Sequence, residues 1–234
     1  MIKTLSIALA TAAFAATAAT AVTTISVEAP GAFNTTLTVN GGGVETFNTA
    51  ALGVNTPFVT NFGGSGVTAT LNTISVANAD IYGGAGSPAT RYAQIIDTTT
   101  LNFAGAPVNY FGLYVSGADA GNQIAIFNGA TLLFSGDFAS IGAGLSSAYK
   151  GNPSSSFPGA NPTEPYAFYN FTTDTPFTRI VFTNVGAGTQ GLFEADNFTV
   201  GTAVVPEPAS WALLIVGFAM VGVSARRRSR YAAA

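Results

Sequence analysis

Between residues 22 and 205 the chain runs in short stretches of Val, Ile, Thr, Phe and Tyr, broken by clusters of Gly, Asn, Pro and Ser. β-Branched and aromatic side chains fit a pleated surface, so such stretches favour strands. No window in this body carries a convincing 3.6-residue apolar period. The pattern predicts strands at 22–28, 67–76, 91–96, 108–116, 122–127, 131–136, 166–172, 177–183 and 191–200. Asn128-Gly129 lies between two apolar runs and predicts a hairpin with a type I′ turn. Residues 142–165 hold no strand pattern and read as a long surface loop. Gly83-Gly84-Ala85-Gly86 lacks the Gly-Lys-Ser/Thr ending of a phosphate loop and reads as a turn. The expected fold is all-β: a two-sheet antiparallel β-sandwich over residues 22–200, with a barrel as the alternative. Residues 201–205 read as a linker.

Both ends depart from this pattern. Ala209 to Ala225 contains no charged residue, and Arg226, Arg227, Arg228 and Arg230 follow at once. An apolar run of about 17 residues is at the lower limit for one transmembrane helix, expected at 209–225. Arginines are expensive in the bilayer core and stay on the cytoplasmic side, so the body lies across the membrane from them. Residues 231–234 form a short tail. At the other end, Lys3, the apolar stretch Leu5–Ala16 and the small-residue site Ala19-Thr20-Ala21 predict a signal peptide over residues 1–21. Ala16-Thr17-Ala18 is an alternative cleavage site. This pattern implies the Sec translocon and signal peptidase as partners.

Separating the ends changes the charge. The body holds three basic residues, Arg91, Lys150 and Arg179, against ten acidic ones, a net of −7, where the whole chain has −3. Such a body has no electrostatic footprint for nucleic acid. The chain has no cysteine and no histidine. Disulfides, thiolate catalysis, zinc enzymes of the usual ligand type and serine hydrolases with a histidine base are therefore excluded.

One strand carries unusual chemistry. Strict alternation over Leu192–Val200 puts Glu194 and Asp196 on one face with Leu192, Phe198 and Val200. Carboxylates on an apolar face are costly unless paired or metal-bound. Three explanations stand: a β-bulge near Ala195 turning the acids outward, a structural Ca²⁺ held by Asp196 with Glu45, or a pair of catalytic carboxylates. The body's tyrosines, Tyr82, Tyr92, Tyr110, Tyr114, Tyr149, Tyr166 and Tyr169, either stack on sugars or pack in the core. The one tryptophan is Trp211.

Pro206-Glu207-Pro208-Ala209-Ser210-Trp211-Ala212, Gly217-Phe218, Gly222 and the arginines resemble the PEP-CTERM sorting domain of exopolysaccharide-producing Gram-negative bacteria. The resemblance implies an exosortase that processes the chain near Pro206-Glu207-Pro208. A transient inner-membrane anchor then gives way to the cell surface or extracellular matrix. The body is similar to exported PEP-CTERM proteins in Ala79–Gly86, Tyr110–Tyr114, Asp119–Asn122 and Phe193–Phe198. That similarity implies a jelly-roll-like sandwich related to carbohydrate-binding modules. The expected function is a non-enzymatic surface or matrix protein associated with exopolysaccharide or biofilm. The alternatives are a carbohydrate-binding module and a glycoside hydrolase.

Overall fold

The computed structural model describes residues 21–86, 89–186 and 192–203, with Phe218 as a single helical position. The signal-peptide residues up to Thr20, with Ala19, lie outside the described residues, as do the sorting residues Pro206, Glu207, Pro208, Trp211, Arg226, Arg227, Arg228 and Arg230. The expected span 209–225 is outside them except at Phe218. Among the described residues no helix is long and apolar enough to cross a membrane.

The strands in chain order are β1 (Thr23–Val27), β2 (Val39–Glu45), β3 (Gly53–Asn55), β4 (Phe58–Thr60), β5 (Val67–Leu71), β6 (Ile74–Asn78) and β7 (Arg91–Ile95). They continue with β8 (Thr98–Gly105), β9 (Val108–Ser116), β10 (Asn122–Asn128), β11 (Thr131–Asp137), β12 (Ala167–Phe177), β13 (Arg179–Asn184) and β14 (Phe193–Ala203). One short helix, α1 (Phe138–Ile141), follows β11 and is capped by Asp137, whose carboxylate accepts the Ser140 N–H. An eight-stranded sheet has the order β1-β12-β9-β14-β7-β6-β3, with β2 also paired to β14. A six-stranded sheet has the order β11-β10-β13-β8-β5-β4. All the strand pairs are antiparallel. The fold is the two-sheet, jelly-roll-like sandwich expected from the sequence.

The chain crosses repeatedly between sheets, and this sets several strand limits. The single strand expected at 67–76 is two strands, β5 in the six-stranded sheet and β6 in the eight-stranded one. Between them Asn72 accepts the Thr100 N–H through its side chain and fixes the crossing. Strands β2, β3, β4 and β8 lie where no strand was expected. β14 extends through Ala203 because Thr202 and Ala203 pair with Asn40 and Val39 of β2, so the linker begins later than residue 201. The β10–β11 turn also differs. Asn128 pairs with Thr131, which leaves Gly129 and Ala130 as the turn residues, and only Gly129 has positive φ (57°). Positive φ at the first central position alone is the type II′ pattern, not I′.

The space between the sheets is filled mainly by phenylalanine. Phe198 packs on Phe47, Phe111 and Phe182, with ring centroids 5.1, 5.4 and 5.4 Å apart. Phe193 continues the stack against Phe138 and Phe182. Each such fully buried side chain stabilises the fold by about 1.5–3 kcal/mol. With no disulfide available, this dry layer holds the sandwich together.

The opposite face of the eight-stranded sheet is also covered. Tyr114, Tyr166, Phe168 and Ala85 form a second buried cluster with Phe33 packed on it. The cover comes from loops. Residues 142–165, expected as a surface loop, fold back and are pinned. Asn152 is buried, and its side-chain amide donates to the carbonyls of Asp80 and Ile81, both at 3.2 Å. Within the loop, Asn152 N–H donates to Ala160 O and Gly159 N–H to Asn152 O.

Candidate functional site

The central question is where β14 places its acids. Phe193, Ala195, Phe198 and Val200 all belong to the inner core, so alternation breaks between Ala195 and Phe198. The break is a β-bulge: Asp196 pairs with Tyr114 and Thr199 with Gly112, so Asn197 and Phe198 together oppose Leu113. Asn197 takes positive φ (49°), a conformation asparagine tolerates better than most residues. Its side-chain amide donates to Phe33 O at 2.9 Å. The bulge sends Glu194 and Asp196 to the outer face while keeping Phe198 and Val200 inside. It lies one position past Asp196, rather than at Ala195.

Outward does not mean exposed. Asp196 is 1% exposed. Its Oδ2 accepts Ala85 N–H at 2.8 Å and its Oδ1 accepts Asn197 N–H at 2.7 Å. Burial nevertheless pushes its pKa up to about 8, with a smaller contribution from the charge of Glu45. The turn that supplies Ala85 is set by Asp80, whose Oδ1 accepts the N–H groups of Tyr82 and Gly83. Gly83 lies flat on the Tyr92 ring, where a Cβ would come within 2.4 Å of ring carbons. The Gly-Gly-Ala-Gly run is thus the turn that seals Asp196.

Glu45, the other candidate ligand, lies on β2 beside β14, in register with Phe198. Its carboxylate accepts Phe47 N–H and the Thr60 hydroxyl, both at 2.6 Å. Asp196 thus accepts two backbone N–H groups, and Glu45 accepts one backbone N–H and one hydroxyl. Among the described residues no group of three or more acidic side chains has metal-binding geometry.

Glu194 has a different surrounding. It lines a pocket of about 130 Å³ with Tyr82, Gly117, Asp119, Asn161, Glu164 and Leu192. Asp119 Oδ1 accepts the N–H groups of Gly121 and Asn122 at 2.6 and 3.0 Å. Glu164 Oε2 accepts the Asn161 amide at 2.5 Å. Partial burial, then the charges of Asp80, Glu164 and Asp119, raise the Glu194 pKa to about 8. Tyr82 stands at the rim, 53% exposed. Of the other tyrosines, Tyr92, Tyr110, Tyr114 and Tyr166 are buried on the outer face and Tyr169 is in the core. Asp119 and Tyr82 fall in segments the sequence singled out, whereas Asn161 and Glu164 come from the loop and carried no sequence signal.

A larger groove, about 260 Å³, crosses the outer face of the six-stranded sheet between Gln123, Ser135, Asp137 and Thr183. It has no aromatic ring, and its one acid, Asp137, is committed to capping α1. The pocket at Glu194 is the better-equipped site.

Comparison with known proteins places a PEP-CTERM protein-sorting motif at residues 204–228. No curated protein and no solved structure matches the chain. The chain therefore joins an all-β sandwich to a PEP-CTERM sorting motif, the mark of exosortase-dependent delivery to the surface of a Gram-negative cell.

Proposed function

We propose that the mature protein is a non-enzymatic component of the cell surface or matrix that associates with exopolysaccharide by binding glycan in the Glu194 pocket. The observation that carries this reading is the pocket's make-up: an exposed ring, Tyr82, above a group of hydrogen-bond acceptors, Asp119, Glu164 and Glu194. Rings stack on the apolar face of a pyranose, and carboxylates accept from its hydroxyl groups. A glycosidase needs two carboxyl groups flanking the bond to be cut. Asp196 is sealed beneath Ala85 and absent from the pocket lining. The Glu194–Asp196 pair that the strand pattern offered as catalytic carboxylates is not available as such, which supports only the absence of that pair; cleavage by Glu194 with Asp119 or Glu164 is left to the test of glycan length.

Export proceeds through signal peptidase cleavage after Ala21 and exosortase processing near Glu207. Glu207→Ala, or deletion of Arg226–Arg230, leaves precursor in the inner membrane of the native host, read by fractionation and intact mass. Normal surface delivery of both variants contradicts the sorting role of those residues. The glycan role is tested by screening the exported mature protein against immobilised glycans. Selective retention supports it, and no retention on any glycan removes it.

A further inference from the structure

We propose that the Glu194 pocket selects an amino-sugar unit, holding its ammonium group among the carboxylates. This rests on the glycan reading above and narrows it. The pocket's lining contains three carboxylates and no cation. Asp119 and Glu164 each have one oxygen engaged by the protein, which leaves Asp119 Oδ2, Glu164 Oε1 and the Glu194 carboxylate for a guest. Asn161 is the one amide in the lining, and it already donates to Glu164 and Tyr166. The pocket thus offers acceptors in excess, its spare donors being the exposed Tyr82 hydroxyl and, below about pH 8, the Glu194 carboxyl. A guest rich in donors suits it, and an ammonium group brings three where a hydroxyl brings one.

A second observation points the same way. Ser116 Oγ is fully buried and has no hydrogen-bond partner. Ser116 pairs directly with Glu194 across β9 and β14, precedes the pocket residue Gly117, and projects to the same side of the sheet. Buried hydroxyls are normally satisfied, so this one, adjacent to Glu194 but outside the pocket lining, is a polar group left open at the Glu194 side of the site. A bare divalent cation is a poorer occupant, because among the described residues no group of three or more His, Cys, Asp or Glu side chains could hold a metal ion, whereas an ammonium group needs only one or two of these carboxylates beside it. Polyanionic glycans are repelled by a body with net charge −7. Tyr82 adds stacking for the ring and attraction for a cation over its face.

The test is calorimetric titration of the exported mature protein with three tetramers: β-1,4-linked glucosamine, its fully N-acetylated counterpart and cellotetraose. The glucosamine tetramer is expected to bind at least tenfold more tightly than either of the others, with affinity falling as salt rises. Glu164→Gln and Glu194→Gln each weaken binding about tenfold with melting temperatures intact. Should Glu194→Gln not fold, Glu164→Gln and Tyr82→Ala at the exposed rim carry the same test. Equal binding of the acetylated or neutral tetramer overturns the amino-sugar assignment and leaves glycan binding standing. Binding of none of the three, together with failure on the wider glycan screen, removes both. Heat from Ca²⁺ alone that is lost in Glu164→Gln, without glucosamine binding, makes the pocket an ion site and also overturns the proposal.

Discussion

Strands β9 and β14 present two faces with opposite chemistry. On the inner face Phe111, Phe193, Phe198 and Val200 meet the second sheet in an apolar layer. On the outer face the same strands carry Tyr110, Tyr114, Ser116, Glu194 and Asp196, closed over by turns and loops. The inner layer works mainly by area removed from water and holds few polar atoms, among them the hydroxyls of Thr99, bonded to Thr73 O, and Tyr169. The outer face is held by a web of hydrogen bonds, such as Tyr110 hydroxyl to Asn170 (2.6 Å) and Asn170 amide to Glu28 (2.9 Å). A domain without disulfides keeps its stability in the apolar layer and places its charged side chains on the other side of the sheet. The inner layer carries the fold, so the outer layer is free to hold charges at a cost.

The largest effect is expected on the inner face. Phe198→Ala removes a ring packed on three others and lowers stability by about 3–5 kcal/mol, read from the urea midpoint of the mature protein. A loss below about 1 kcal/mol breaks the comparison, because Phe198 would then not be part of a close-packed layer.

The outer face should show itself through pH. Asp196 and Glu194 have folded-state pKa values of about 8, above the ordinary carboxylate range. The folded protein therefore holds more protons than the unfolded chain between about pH 4.5 and pH 8, and stability falls as pH rises through that window. Glu28 acts in the opposite sense. Burial alone would raise its pKa, but hydrogen bonds from Thr36, Asn170 and Thr35 outweigh it, so its contribution is lost on acidification below about pH 4.5. Stability should peak near about pH 5 and drop by a few kcal/mol, in order of magnitude, by pH 8. Asp196→Asn should flatten the decline. A melting temperature that rises steadily from pH 5 to pH 8 contradicts the burial of these acids as charged-state penalties.

Two outer-face tyrosines differ at the level of single hydroxyls. Tyr110→Phe removes a buried bond to Asn170 and should cost about 1–2 kcal/mol. Tyr114→Phe removes a hydroxyl with no partner and should cost less than about 0.5 kcal/mol or stabilise slightly. Equal losses in the two variants show that Tyr114 has a partner, such as a bound water.

The smallest effect is expected from Ca²⁺. Because Asp196 and Glu45 already serve protein donors, millimolar Ca²⁺ against EGTA should move the melting temperature by less than about 2 °C. A rise of about 5–10 °C, the size expected for a tightly held ion, restores a structural ion to this domain.

Much of the sandwich is legible in the sequence because its longer strands either alternate, as in Gln123–Phe127, or run as short β-rich apolar stretches covered on both faces, as in Tyr110–Val115. Strands β2 and β3 are not, since Asn40-Gly41-Gly42-Gly43 and Gly53-Val54-Asn55 have turn composition and become strands only by pairing with β14 and β6. β8 begins with three threonines, and its inward positions, Thr99 and Leu101, give too short an apolar signal to stand alone. The bulge is half legible. Two acids among apolar positions demand a break in alternation, but its position depends on the αL conformation of Asn197 and its bond to Phe33, which no local pattern reveals. Glu194 draws attention for the same reason. Glu164 and Asn161 do not, because they reach the site through the folding of a loop whose composition says only that it is not a strand.

The central claim is that the outer-face acids bind glycan and do not cut it. The most direct measurement incubates the exported wild-type protein and Glu194→Gln with whichever glycan the screen retains, following bound fraction and chain length together. Wild type is expected to hold the glycan at unchanged length, and Glu194→Gln to hold it at least tenfold more weakly. Progressive shortening of the glycan by wild type, absent in Glu194→Gln, would contradict the claim.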